Sequence, residues 1–161
     1  NGYAVQTFLP YSDFDQCAMV LDSKRLNKQL LEGRQILSAL AGQTAGWRNH
    51  PATKMWRGSE LVLYNYLNAI AKECYTRGIR FKKNLDAIDQ TIDVYFQGVE
   101  HNNRPFWMKD QTMLRRINTT HQANLYRKDS YEYAIFQSAY DDPLNDPCCE
   151  TCLYFWPTHT E

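Results

Sequence analysis

The stretch LDSKRLNKQLLEGRQIL, residues 21 to 37, constrains the fold more than any other part of the chain. Its apolar residues return at intervals of three, four and seven, the period of a helix with one buried side. With Met19, Leu26, Leu30, Leu37 and Leu40 as one stripe, the pattern predicts a helix from about Asp13 to Ala41, capped by Ser12 and ended by Gly42 and Gly46. Beside the stripe, Asp22, Arg25, Gln29 and Glu32 fall within a sector of roughly 80°, with Lys28 just outside it. Two readings of this polar face compete. One is a solvated face knit by ion pairs, each contributing only ~0.2–0.5 kcal/mol. The other is the wall of a cleft, where carboxylates do proton or charge work and cations meet phosphate. Gly33 costs ~1 kcal/mol against alanine inside a helix, so something is expected to pack closely there.

The same periodicity recurs along the chain. A second helix opens at Ser59 and closes at Gly78 on Leu63, Leu67, Ile70 and Cys74. A third starts near Asn84 with Leu85, Ile88, Ile92 and Tyr95, and a fourth runs from about Asp110 to Arg127 on Met113, Leu114, Ile117 and Leu125. A short fifth is expected around Ser130 to Gln137, before an irregular tail over 141–161 rich in Pro and Asp. Only AVQTF, near the start, has any β character. The expected class is all-α, and 161 residues suit a single domain.

Composition narrows function by exclusion. No run approaches the ~20 apolar residues of a membrane span, and no secretory leader pattern opens the chain. A soluble cytoplasmic monomer is expected. Eighteen basic residues balance eighteen acidic ones, which argues against a strongly basic nucleic-acid module while leaving local phosphate binding open. Aromatic residues reach 14%, enough to leave some for flat ligands. Cys17 and Cys74 sit inside helical patterns and read as reduced thiols. Cys148, Cys149 and Cys152 with His159 read either as tail thiols or as part of a zinc site. A second ligand pair is missing, so no metal and no cofactor are expected.

Two further stretches concentrate chemistry. GWRNHP packs a stacking ring, a guanidinium, an amide and an imidazole into one loop as Trp47, Arg48, Asn49 and His50. HQANLYRKD places His121, Asn124 and Lys128 on one side of the fourth helix, with Arg127 close by. His121 also lies on that helix's apolar stripe, where a satisfied core histidine is an equal reading.

Taken together, QTFLPYSDF, LDSKRLNKQ, GWRNHPATKMWRG, HQANLYRKD and YFWP resemble a bacterial and phage branch of the pyrimidine-dimer DNA glycosylase family, typified by the bacteriophage endonuclease V. These motifs span most of residues 5 to 157. The resemblance implies an all-helical fold that kinks duplex DNA, extrudes a nucleotide and cuts the glycosidic bond, a reaction needing phosphate grips and a charge partner for an oxocarbenium-like centre. The expected DNA contacts are Lys24, Gln29, Trp47, Arg48, Asn49, His50, Arg57, His121, Asn124, Arg127 and Lys128, in the DNA of a bacterial or phage-infected cell.

Two departures from the family pattern matter. The family's bifunctional members attack with the α-amine of the first residue; here that position aligns near Ala4, so residues 1–4 read as an extension. No imine is expected at the α-amine. The family's catalytic glutamate falls on Arg25, and its flanking arginines on Lys24 and Lys28, reversing the charge at the key position. Asp22 or Glu32 is then expected to stabilise charge while Arg25 or Lys28 grips phosphate, with direct attack by water favoured over a Schiff base at Lys28. The leading expectation is a DNA glycosylase without a lyase step, acting on a damaged or modified pyrimidine. A non-catalytic DNA-binding module and a base-modifying transferase are the alternatives.

Overall fold

The structure is a computed structural model and describes residues 5–145 and 155–157. It is all-α, with eight α-helices and no strand among the described residues. The expected first helix is two. α1 (Phe14–Val20) is capped by Asp13, whose carboxylate accepts the Asp15 N–H, and α2 (Ser23–Leu40) is capped by Asp22. Leu21 and Asp22 are extended between them, because the Asp22 carboxylate accepts the Arg25 N–H and starts a new helix instead of continuing the old one. Arg77 seals the break by donating to the carbonyls of Ala18 and Met19. The kink turns Met19 out of the expected stripe and leaves it exposed, and Ser12 donates to Asn118 instead of capping a helix.

The loop before the second predicted helix contains α3 (Pro51–Lys54), with proline in its first turn and His50 as its cap. α4 (Glu60–Arg77) ends at Gly78 in the left-handed conformation (φ 74°), as the sequence requires. α5 (Lys82–Tyr95) starts two residues before the expected Asn84, and Tyr95 is exposed while Phe96 takes the buried place. After Pro105 come α6 (Phe106–Lys109) and α7 (Gln111–Lys128), the latter capped by Asp110. The expected fifth helix over Ser130 to Gln137 is instead a turn and a 3-10 segment, Ala134–Phe136, leading into α8 (Gln137–Asp141).

α2 packs on α4 and α5, α1 on α4, and α7 on α6 and α8. Gly33 meets α4 so closely that a Cβ there would overlap the Leu67 side chain, which accounts for the glycine. Trp56, Trp107 and Tyr66 fill the middle, Trp56 edge-on to Trp107 at 5.1 Å between centroids and stacked on Tyr66. No described helix is long and apolar enough to cross a membrane.

The segment Val5 to Pro10, at the one stretch with any β character, forms no strand and joins no sheet. It is threaded between α2 and α7, and buried backbone groups without a sheet partner must bond elsewhere. Side chains from the surrounding helices supply the bonds. Phe8 N–H donates to Gln29 Oε1 (2.7 Å), Gln29 Nε2 donates to the Gln6 carbonyl (2.9 Å), and Leu9 N–H donates to His121 Nδ1 (2.9 Å). Asn118 donates to the Leu9 carbonyl and Gln122 to that of Pro10, while Trp156 Nε1 donates to that of Thr7. Tyr66 OH lies between the Phe8 carbonyl (2.5 Å) and Gln29 Oε1 (2.9 Å). This threaded segment fixes where α2 and α7 stand relative to each other.

Candidate active site

The two carboxylates on the polar face of α2 have different surroundings. Asp22 is committed to structure: it caps α2, pairs with Arg25 Nη1 at 3.1 Å, and accepts a short hydrogen bond from the Tyr133 hydroxyl. Burial works against its charge, but the hydrogen bonds from Tyr133 and Arg25 outweigh that effect and hold the carboxyl below its usual range. Arg25 in turn lies over the Tyr133 ring, 5.7 Å from its centroid. Nothing in the sequence pattern marked Tyr133 as the residue that locks this corner.

Glu32 lies further along α2 and is only 4% exposed. Its Oε1 is buried with no hydrogen-bond partner, an uncommon state for a carboxylate. Burial pushes its pKa up to about 7, against the opposing pull of Lys28, a Gln6 main-chain hydrogen bond and Lys128. The acid is therefore poised between its neutral and charged forms near neutral pH. Lys128, an exposed residue at the last position of α7, has its ammonium pKa lowered by partial burial and then by repulsion from Arg25 and Lys28, with Glu32 opposing. Glu32, Lys28, Arg25 and Lys128 thus form one electrostatic cluster where α2, α7 and the threaded segment meet. Asn124, one turn before Lys128, is buried and leaves its Nδ2 unpartnered while its Oδ1 accepts from Arg127.

The remaining predicted residues divide by exposure. Gln29 is 1% exposed and His121 is fully buried, both bonded to the threaded segment, so neither presents a surface to DNA. With Nδ1 accepting from Leu9, His121 carries its proton on Nε2, which points to the Phe155 carbonyl (3.2 Å). Burial depresses its pKa to about 3 and keeps the ring neutral. The satisfied core histidine is the reading that the geometry favours. Lys24, Arg48, Asn49 and Arg57 are exposed, and Arg57 Nη2 donates to the Arg48 carbonyl (3.1 Å). Arg127 is partly buried, 5.1 Å from the Tyr140 ring centroid.

Trp47 and His50 form the aromatic side of the region. His50 Nδ1 accepts the Ala52 N–H, and its ring lies 5.2 Å from that of Trp156 and 6.2 Å from that of Trp47. Burial lowers the His50 pKa. Trp47 has φ 65°, in the left-handed region that a bulky residue rarely occupies. Such a conformation costs on the order of 1–3 kcal/mol and is characteristic of loops held for a purpose. Neither Trp156 nor Gln6 was among the residues expected at the site, because the part each plays depends on the path of the main chain.

Cys17 and Cys74 are buried free thiols, as expected, and Cys17 donates to the Tyr11 carbonyl. Among the described residues no His, Cys, Asp and Glu group is arranged to hold a metal ion. Cys148, Cys149, Cys152 and His159 lie outside the described residues, as do residues 1–4.

The described residues make an all-helical scaffold in which α2 holds a buried acid, Glu32, with its pKa raised by burial. The family model for pyrimidine dimer DNA glycosylase matches residues 5–87, and the chain belongs to that family. The match takes in the threaded segment and all of α1 to α4, including Glu32, and stops short of the α7 residues. No curated protein and no solved structure matches the chain.

Proposed function

We propose that this protein is a DNA glycosylase that extrudes a damaged or modified pyrimidine from duplex DNA and breaks its glycosidic bond, with Glu32 as the charge partner. The carrying observation is the Glu32 carboxyl, buried with an unpartnered oxygen beside Lys28 and Lys128. As a carboxylate it stabilises positive charge developing at C1′ or orients the water that attacks there. Lys28 and Lys128 face the phosphates on either side, and Trp47 and His50 offer faces on which an extruded base stacks. Asp22, the other candidate, is withdrawn into helix capping. Gln29 and His121 serve by holding the threaded segment, and the chain acts as a monomer.

The test is base release from a panel of duplexes carrying candidate pyrimidines, with Glu32→Gln and Asp22→Asn compared with the parent. Glu32→Gln is expected to lower turnover by ~10²-fold or more with DNA affinity retained, and Asp22→Asn to act mainly on stability. Full turnover by Glu32→Gln would remove Glu32 from the chemistry. A duplex bound without release by the parent, whichever base it carries, would favour the non-catalytic module, and a mass-shifted intact base would favour the transferase.

A further inference from the structure

Beyond the Glu32 cluster, the surface has a groove of about 420 Å³ between the end of α3 and the segment from Asn103 to Lys109. Lys54, Arg57, Arg104 and Lys109 line it, together with Ser59, and no carboxylate does. In a chain with balanced charge this is an uneven placement. The two carboxylates adjoining it in sequence have other partners: Glu60 accepts the Gly58 N–H with one oxygen and lies 2.9 Å from His101 with the other, and Asp110 caps α7 by accepting the Met113 N–H. Elsewhere Arg25 pairs with Asp22 and Arg77 with Glu73, whereas none of the four groove cations has an ion pair among the described residues. Four like charges along one wall repel one another, an arrangement that is unfavourable until a polyanion fills the space.

The groove is coupled to the site. α3 carries His50 at its start, against Trp156, and Lys54 at its end, in the groove. Four helical residues span about 6 Å, just under two nucleotide steps of about 3.4 Å along one strand of a duplex. Arg57 also bonds back to the main chain of Arg48, joining the groove to the GWRNHP loop.

We propose that this groove is a second DNA-binding site, which holds the phosphodiester backbone of the duplex flanking the lesion through Lys54, Arg57, Arg104 and Lys109. The proposal rests on the glycosylase reading and adds a contact remote from the chemistry. Neutralising phosphates releases counterions, so each cation that contacts one adds about 0.9 to the slope of log K against log salt.

The probe is an undamaged duplex of about 25 base pairs, titrated with the full chain at several salt concentrations. The double variant Arg104→Gln, Lys109→Gln should weaken binding and flatten the slope by about 2. Lys82→Gln, Lys83→Gln makes the same change in net charge at the exposed start of α5 and should leave the slope unaltered. Arg104→Lys, Lys109→Arg keeps both charges and should restore it, which separates charge from damage to the fold. An unchanged slope in the groove variant, or an equal loss in the α5 variant, overturns the groove assignment while leaving the glycosylase reading intact. If the parent binds no duplex at all, the glycosylase reading fails and the groove proposal with it.

Discussion

Gln29 and Glu32 sit one turn apart on α2, both almost without exposed surface, and their surroundings treat them in opposite ways. Gln29 uses both ends of its amide: the oxygen accepts from Phe8 N–H and lies within reach of the Tyr66 hydroxyl, and the nitrogen donates to the Gln6 carbonyl. Glu32 keeps one oxygen unpartnered and carries a pKa near 7. Where a buried polar group is fully bonded it fixes structure, and where it is left short it holds free energy in reserve for a ligand or a reaction. A few residues of one helix therefore contain both a fastener and a candidate reactive group, and the difference is visible only in their partners.

Substitutions can break this contrast from either side. Gln29→Ala should be the most disruptive, because it strands the Phe8 N–H and the Gln6 carbonyl in the core. At ~1–3 kcal/mol for each unsatisfied group, a loss of several kcal/mol is expected in denaturant unfolding. Glu32→Gln should do the reverse. The Glu32 pKa is raised from 4.5 to about 7 on folding, so the folded state binds more protons than the unfolded one across that interval. Its contribution to stability is complete below about pH 4.5 and falls as pH rises to about 7, by roughly 1.4 kcal/mol per unit and on the order of 3 kcal/mol in all. Glutamine removes this penalty, so the variant should be more stable than the parent at pH 8 and should lose the dependence. A destabilised Glu32→Gln would make Glu32 a fastener like Gln29.

His121 sharpens the comparison from the satisfied side. Its pKa falls from 6.5 to about 3 on folding, so the unfolded state binds the extra proton and stability drops as pH falls from about 6.5 toward 3. His121→Asn keeps an acceptor near the position of Nδ1 and removes the titration. Its unfolding free energy should be flatter than the parent's by up to about 1.4 kcal/mol per pH unit over that range. The smallest effect is expected outside the core. Arg48→Ala should leave stability within ~0.5 kcal/mol and lower the salt slope of duplex binding by about 1. A loss confined to one base sequence would instead make Arg48 a reader of bases.

Lys128 offers a final check on the reaction. Borohydride trapping on a substrate duplex is expected to yield no adduct if water is the nucleophile. An adduct mapped to Lys128, where burial and then the charges of Arg25 and Lys28 favour the free amine, would add a lyase step to the proposed mechanism.

Sequence by itself determined the helical class, the limits of α4 and α7 to within a residue or so, and the close approach at Gly33, because period, caps and glycine penalties act over a few residues. It also gathered Asp22, Arg25, Lys28 and Glu32 into one candidate group, since spacing along one helix suffices for that. Tertiary structure decided which carboxylate stays uncommitted. Tyr133, more than a hundred residues away in the chain, bonds Asp22, and the main chain at Gln6 is threaded past Gln29 to Glu32. It also split the first helix at Asp22 and moved His121 from the DNA contacts to the core. Burial and hydrogen-bond supply depend on what the whole chain brings alongside a residue, and no local pattern carries that information.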